Sequence, residues 1–327
     1  MLVEGRPDYR WPALLATPGA KKNSHGGAVP FRLDSALDRR GVVMVAHTEC
    51  VAGTAKETSL FLGRRLRKLR TQIGGVLNVN PFLMRALKDF HQITDQLSLA
   101  QFLLTSHLGG GHATGFGKMI DEKVLPHVFQ TKRLDSTCRD VSPYNKEIFD
   151  DIDHLVTKSD GVYLLSLKAG AWSIQLGQAM GLYRHFLALG EQGLQSRGIV
   201  VGVFYGHKGL LTDKYRVVKG ENIRHQSEMR KLDYVEVKAG AAFWSWLNDD
   251  EKATQEWILE GIAKGADEFM ANTPDMKEVA GGAAHRLVLE LREKYGLSAA
   301  GAIDWLFLLH AVNDDKGEQL GAEAVEP

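Results

Sequence analysis

Cysteine is scarce: Cys50 and Cys138 are the two in 327 residues, and neither has CxxC or histidine-rich spacing. A disulfide-stapled secreted domain is therefore excluded, and a zinc site is argued against. No window approaches the roughly 18 consecutive apolar residues of a membrane span. The amino terminus carries Glu4, Arg6 and Asp8 where a signal peptide needs an apolar core, so a cytoplasmic protein with no membrane partner is expected. An excess of charge is also missing, because 40 Lys plus Arg balance 40 Asp plus Glu. Any nucleic-acid surface must then be a local patch. The 44% hydrophobic content excludes disorder throughout and can fill a main core plus a smaller appended one.

Along the chain, residues 1–40 hold Pro7, Pro12, Pro18, Pro30 and the polar stretch KKNSHGG without a sustained period, which reads as a loosely ordered arm. The same residues could be upstream sequence, with Met44 as the alternative start. Residues 41–106 read as a helical region suited to dimerisation, with apolar spacing at Leu60, Leu66, Leu69 and Ile73, then at Phe82, Leu83, Leu87, Phe90 and Ile93. Asn80 before Pro81 is a cap and opening for the second helix. Gly109, Gly110 and Gly111 are expected to break the helices, and a third helix is expected over residues 116–124, before Pro126. Strand periods appear in FDDIDHLV (149–156) and VYLLSLK (162–168), joined by the turn Ser159-Asp160-Gly161. A helix over 171–189, a strand over 199–205, short strands over 215–218 and 234–237, and closing helices over 240–270 and 284–312 complete an α/β domain at 107–315, with a tail at 316–327.

Phosphodiester hydrolysis near neutral pH needs a metal held by acidic oxygens, an activated water and a cation near the developing charge. The hairpin carries such groups. Asp151 and Asp153 are two apart on its first strand, and Ser166 and Lys168 are two apart on its second, so each pair shares a face. Gln175 and Gln178, three apart on the next helix, share a face that can point towards the strand end. A hairpin with acids near a turn and a lysine near a strand end also arises by chance.

These residues resemble a known family. FDDIDHLV followed by YLLSLKAGAWSIQLGQA is similar to the catalytic core of PD-(D/E)XK type II restriction endonucleases, more narrowly the PmeII-type group. NPFLMRALKDF (80–90), HATGFGKMIDEKVLPHVF (112–129) and FWSWLNDDEKATQEWILEGI (243–262) extend the resemblance over roughly residues 56–270. It implies a restriction-endonuclease-like α/β core, a mixed sheet flanked by helices, with a helical amino-terminal region. It further implies a Mg²⁺-dependent, sequence-specific cut through double-stranded DNA, a homodimer, and a companion DNA methyltransferase protecting the host. Carried over by position, Asp153 resembles the metal-binding aspartate and Lys168 the lysine that positions or activates water. The usual second acid, two residues before the lysine, is Ser166 here, and a hydroxyl is a poor Mg²⁺ ligand beside a carboxylate. Glu122 is the first candidate to supply the missing acid as catalytic and metal-binding residue, with Asp121 as its neighbour; Gln175 joins the catalytic set. Alternatives are a repair or recombination nuclease of the same fold, or a DNA-binding protein whose centre has decayed at Ser166.

Other signals are weaker. HATGFGK fails the phosphate-loop rule, because Met119 follows Lys118 where Ser or Thr is required. Arg64, Arg65, Arg67, Lys68 and Arg70 form the densest basic patch, and Lys208, Lys214, Arg216, Lys219 and Arg224 a second; either suits phosphates or plain solvent. Phe243, Trp244, Trp246 and Trp257 lie among apolar neighbours and read as core, and His107, His112 and His154 read as structural.

Overall fold

The computed structural model describes residues 44–71, 80–140, 144–170, 173–192, 196–221, 229–295 and 303–306. The arm at 1–40, the tail at 316–327, Ile73, Arg224 and the end of the last expected helix lie outside the described residues. Five strands form one mixed sheet in the order β1 (Lys132–Arg133), β2 (His154–Lys158), β3 (Gly161–Lys168), β4 (Gly198–Val203) and β5 (Val235–Ala239). The first three are antiparallel, and β4 and β5 run parallel to β3. The expected hairpin is β2–β3, with Lys158 opposite Gly161 across the turn. Gly161 sits at φ 139°, a conformation that favours glycine.

Alternation along the strands splits the core by face. Leu155, Leu164, Ile199 and Val201 face α6 (Leu176–Glu191) and α7 (Asp213–Val218). Val156, Leu165 and Val200 face α1 (His47–Thr71), α3 (Gln96–Met119), α8 (Ala241–Leu247) and α9 (Thr254–Ala271). A third cluster joins the end of α1 to α2 (Pro81–Leu87), α3 and α10 (Met276–Tyr295) through Leu69, Met84, Leu103 and Leu287. Phe243, Trp244 and Trp246 are buried, as their neighbours in the sequence implied. Among the described residues no helix is long and apolar enough to cross a membrane.

Three expectations are corrected. Gly109, Gly110 and Gly111 do not break the helix: α3 runs through them, because backbone bonding continues where a side chain is missing. The segment 215–218 is helical, part of α7, with Tyr215, Val217 and Val218 packed inward. Asp151 and Asp153 precede β2 instead of lying on it, since a short 3-10 turn at Glu147–Phe149 delays the strand to His154. The proposed boundary at residue 106 falls inside α3.

Candidate functional site

Asp153 extends the sheet ladder by one residue. Its N–H donates to Leu165 O at 2.8 Å, and its carbonyl accepts from Leu134 N at 2.8 Å. Beyond it the chain turns away, while β3 continues to Lys168 and leaves Leu167 N–H without an acceptor from β2. The Asp153 carboxylate supplies one: its Oδ2 accepts from Leu167 N at 2.6 Å. Oδ1 has no hydrogen-bond partner among the described residues. Extrapolating the register sets Asp153 opposite Ser166, with Lys168 diagonal to it. Ser166 is fully buried, and its Oγ accepts from Lys168 Nζ at 3.0 Å. Burial raises the Asp153 pKa above the ordinary carboxylate value; Lys168 and the Leu167 N–H pull it back, and the negative charge of Asp121 adds to the rise.

Asp121 lies just past the far end of α3, where its negative charge is felt at Asp153. There Leu125 N–H bonds Ile120 O, a π-turn over Ile120–Val124 directly before Pro126, which has no N–H to continue the regular ladder. The widened turn carries Asp121 and Glu122 towards β1. Asp121 Oδ1 lies 2.7 Å from His154 Nε2, and its Oδ2 accepts from Arg133 Nη2 at 3.3 Å. The same guanidinium nitrogen donates to Glu122 Oε1 at 3.2 Å. His154 is wholly buried, with Nδ1 3.0 Å from Thr131 Oγ1. Burial opposes charge on Asp121, yet the bonds and charges of His154 and Arg133 outweigh it and hold the carboxyl below its ordinary value.

Asp151 does not join the centre: its Oδ2 lies 2.7 Å from His185 Nδ1 on α6. Gln175 is exposed at the start of α6, where its own N–H donates to Gln178 Oε1 at 2.9 Å, so the glutamine pair closes a helix start. The strand end itself is pinned by α7, with Tyr215 Oη donating to Gly170 O at 2.9 Å.

Among the described residues no three His, Cys, Asp or Glu side chains converge on a metal-sized gap. The donor set nevertheless fits Mg²⁺, which takes one or two carboxylates and keeps most of its waters. Asp153 offers a free oxygen, and Asp121 offers a second charge close enough to be felt. Of the residues expected from the sequence, Asp153, Ser166 and Lys168 come together at the end of β3, while Asp121 and Glu122 share Arg133, a residue the sequence did not single out. No protein-family model matches the sequence, and no curated protein is significantly similar to it.

Proposed function

We propose that the chain is a Mg²⁺-dependent endonuclease for double-stranded DNA, with a PD-(D/E)XK-like core and Asp153 and Lys168 at its centre. The observation that carries the reading is the half-buried carboxylate of Asp153, held by Leu167 N–H at the end of β3 beside the Lys168 ammonium. Asp153 would hold the ion, with Asp121 in the place left by Ser166. Bound Mg²⁺ would supply Lewis-acid stabilisation of the phosphodiester and acidify a bound water. Lys168, anchored on Ser166 Oγ, would orient the attacking water and offset charge on the phosphate. Cutting a specific site implies a homodimer, a cytoplasmic setting and a protective methyltransferase in the same system.

A decayed, binding-only protein is the second reading, favoured by the full engagement of both Asp121 oxygens. The two separate on incubating purified protein with unmethylated phage DNA and Mg²⁺ beside Lys168→Ala. Discrete fragments absent from the variant support a sequence-specific nuclease. DNA that is shifted but uncut, with either Mg²⁺ or Mn²⁺, overturns it in favour of binding alone.

A further inference from the structure

The parallel strands β3, β4 and β5 end together at Lys168, Val203 and Ala239. The residues that follow, Ala169, Phe204–Gly206 and Gly240, line a cleft of about 910 Å³ closed by α1, α3 and α9. The carboxyl ends of parallel strands are where α/β sheets bind ligands. Ser166 and Lys168 face α6, whereas the cleft lies towards the other face, and Ala169 links the two over the end of the sheet. Gly170 tightens that link, because the Tyr205 ring occupies the space a Cβ there would need.

The walls are apolar, aromatic on one side and aliphatic along α9 at Ile258, Leu259 and Ile262. Phe116 and Phe204 stand 6.4 Å apart between ring centres, Trp244 is fixed by its indole N–H donating to Phe204 O at 2.8 Å, and Tyr205 stands 60% exposed at the mouth. Polar groups are few, with His112 and Gln255 at the rim. Arg65 adds a cation beside it, its guanidinium 5.1 Å from the Phe61 ring and packed on Gly115.

We propose that this cleft, one residue from Lys168 and walled by Phe116, Phe204, Tyr205 and Trp244, takes an unstacked nucleobase of the DNA strand at the candidate cutting centre. The assignment rests on the nuclease reading. The exposed Tyr205 ring, backed by the packed Phe204 and Trp244, rewards any base by stacking, whereas a base kept in the duplex has both faces covered. A concave apolar wall also excludes the charged backbone, which is left to Arg65 at the rim and Lys168 at the strand end. The volume exceeds that of one base, so the attached sugar can follow it in.

The test uses the full chain in EDTA and a short single-stranded oligonucleotide carrying 2-aminopurine, whose fluorescence falls on stacking. Quenching is expected with the wild type and with Tyr205→Phe, which keeps the ring, and binding is expected to weaken about tenfold in Tyr205→Ala. Unchanged fluorescence, or equal binding by Tyr205→Ala, overturns the base site, as does uptake of an apolar dye without any quenching. Plasmid cleavage in Mg²⁺ separates the two claims. Quenching without cleavage keeps the base site and sinks the nuclease; cleavage without quenching does the reverse.

Discussion

Under the proposed nuclease reading, two acids compete for the place that Ser166 leaves, and their partners distinguish them. Glu122 is tied to Arg133 alone among the described hydrogen bonds, whereas Asp121 is held from both sides by His154 and Arg133 and adds to the field at Asp153. Asp121→Asn should therefore lower Mg²⁺-dependent cleavage about 10–100-fold, while Glu122→Gln stays within a few-fold of wild type. A plasmid assay titrated with Mg²⁺ checks this, and the opposite ranking would return the role to Glu122. Asp153 leads to a stability prediction. Its carboxyl is raised in the folded protein, chiefly by burial, so the folded state holds the proton more tightly than the unfolded chain does. The native state then loses stability as pH rises from the ordinary carboxylate value through the folded pKa. In EDTA at neutral pH, Asp153→Asn should melt above the wild type, and the gap should shrink in acid. Mg²⁺ should raise the wild-type melting temperature and leave the variant unmoved. A variant that melts lower in EDTA at neutral pH would contradict the buried charge.

Glycines in helices mean opposite things in α3 and α9. At Gly110 a Cβ would meet nothing, so Gly110→Ala should stabilise the protein by about 0.5–1 kcal/mol through propensity alone. At Gly265 the Cβ would fall 2.2 Å from Ala55 O, because α9 packs directly on the α1 backbone. Gly265→Ala should cost about 1–3 kcal/mol, and urea denaturation of the two variants should move in opposite directions. The same contrast explains what the sequence conveyed. The β2–β3 hairpin was legible because two strand-like segments flank a turn signal, and β4 because it is a continuous apolar run, buried at every position. The start of α1 was not: it packs through Val51, Thr54 and Ala55 against Gly261 and Gly265, a small-residue face with no apolar stripe to read. Leu60, Phe82, Leu83 and Phe90 show the converse, since they fit a helical period yet stand exposed. At the site, the approach of Asp153 to the end of β3 was legible, although Asp153 precedes β2 instead of lying on it. The contacts of Asp121 and Glu122 were not, because they depend on the rotation of a π-turn and on Arg133 across the sheet edge.

The molecule as a whole carries no net charge and one candidate centre, while a duplex presents two strands of opposite polarity. A two-fold pair of chains would bring one centre to each strand, which makes the exposed apolar surface relevant. Phe82 and Leu83 on α2 and Phe90 just after it are 66%, 53% and 80% exposed, within the helical region expected to dimerise. Singly exposed apolar residues need no explanation, but three within nine positions offer apolar surface that a second copy would cover. Phe82→Ser combined with Phe90→Lys should then convert a dimer to a monomer in sedimentation equilibrium, with unchanged circular dichroism because neither side chain supports the core. If the chain is the proposed nuclease, the consequence for cleavage is separable from folding. A dimer converts supercoiled plasmid directly to linear product, whereas a monomer cuts one strand per encounter and accumulates open circles. The double variant should therefore shift product from linear to open circular while total strand cleavage at high protein concentration changes little. Linear product from a protein that sediments as a monomer would mean that one chain cuts both strands in turn, and α2 would then be an ordinary exposed helix.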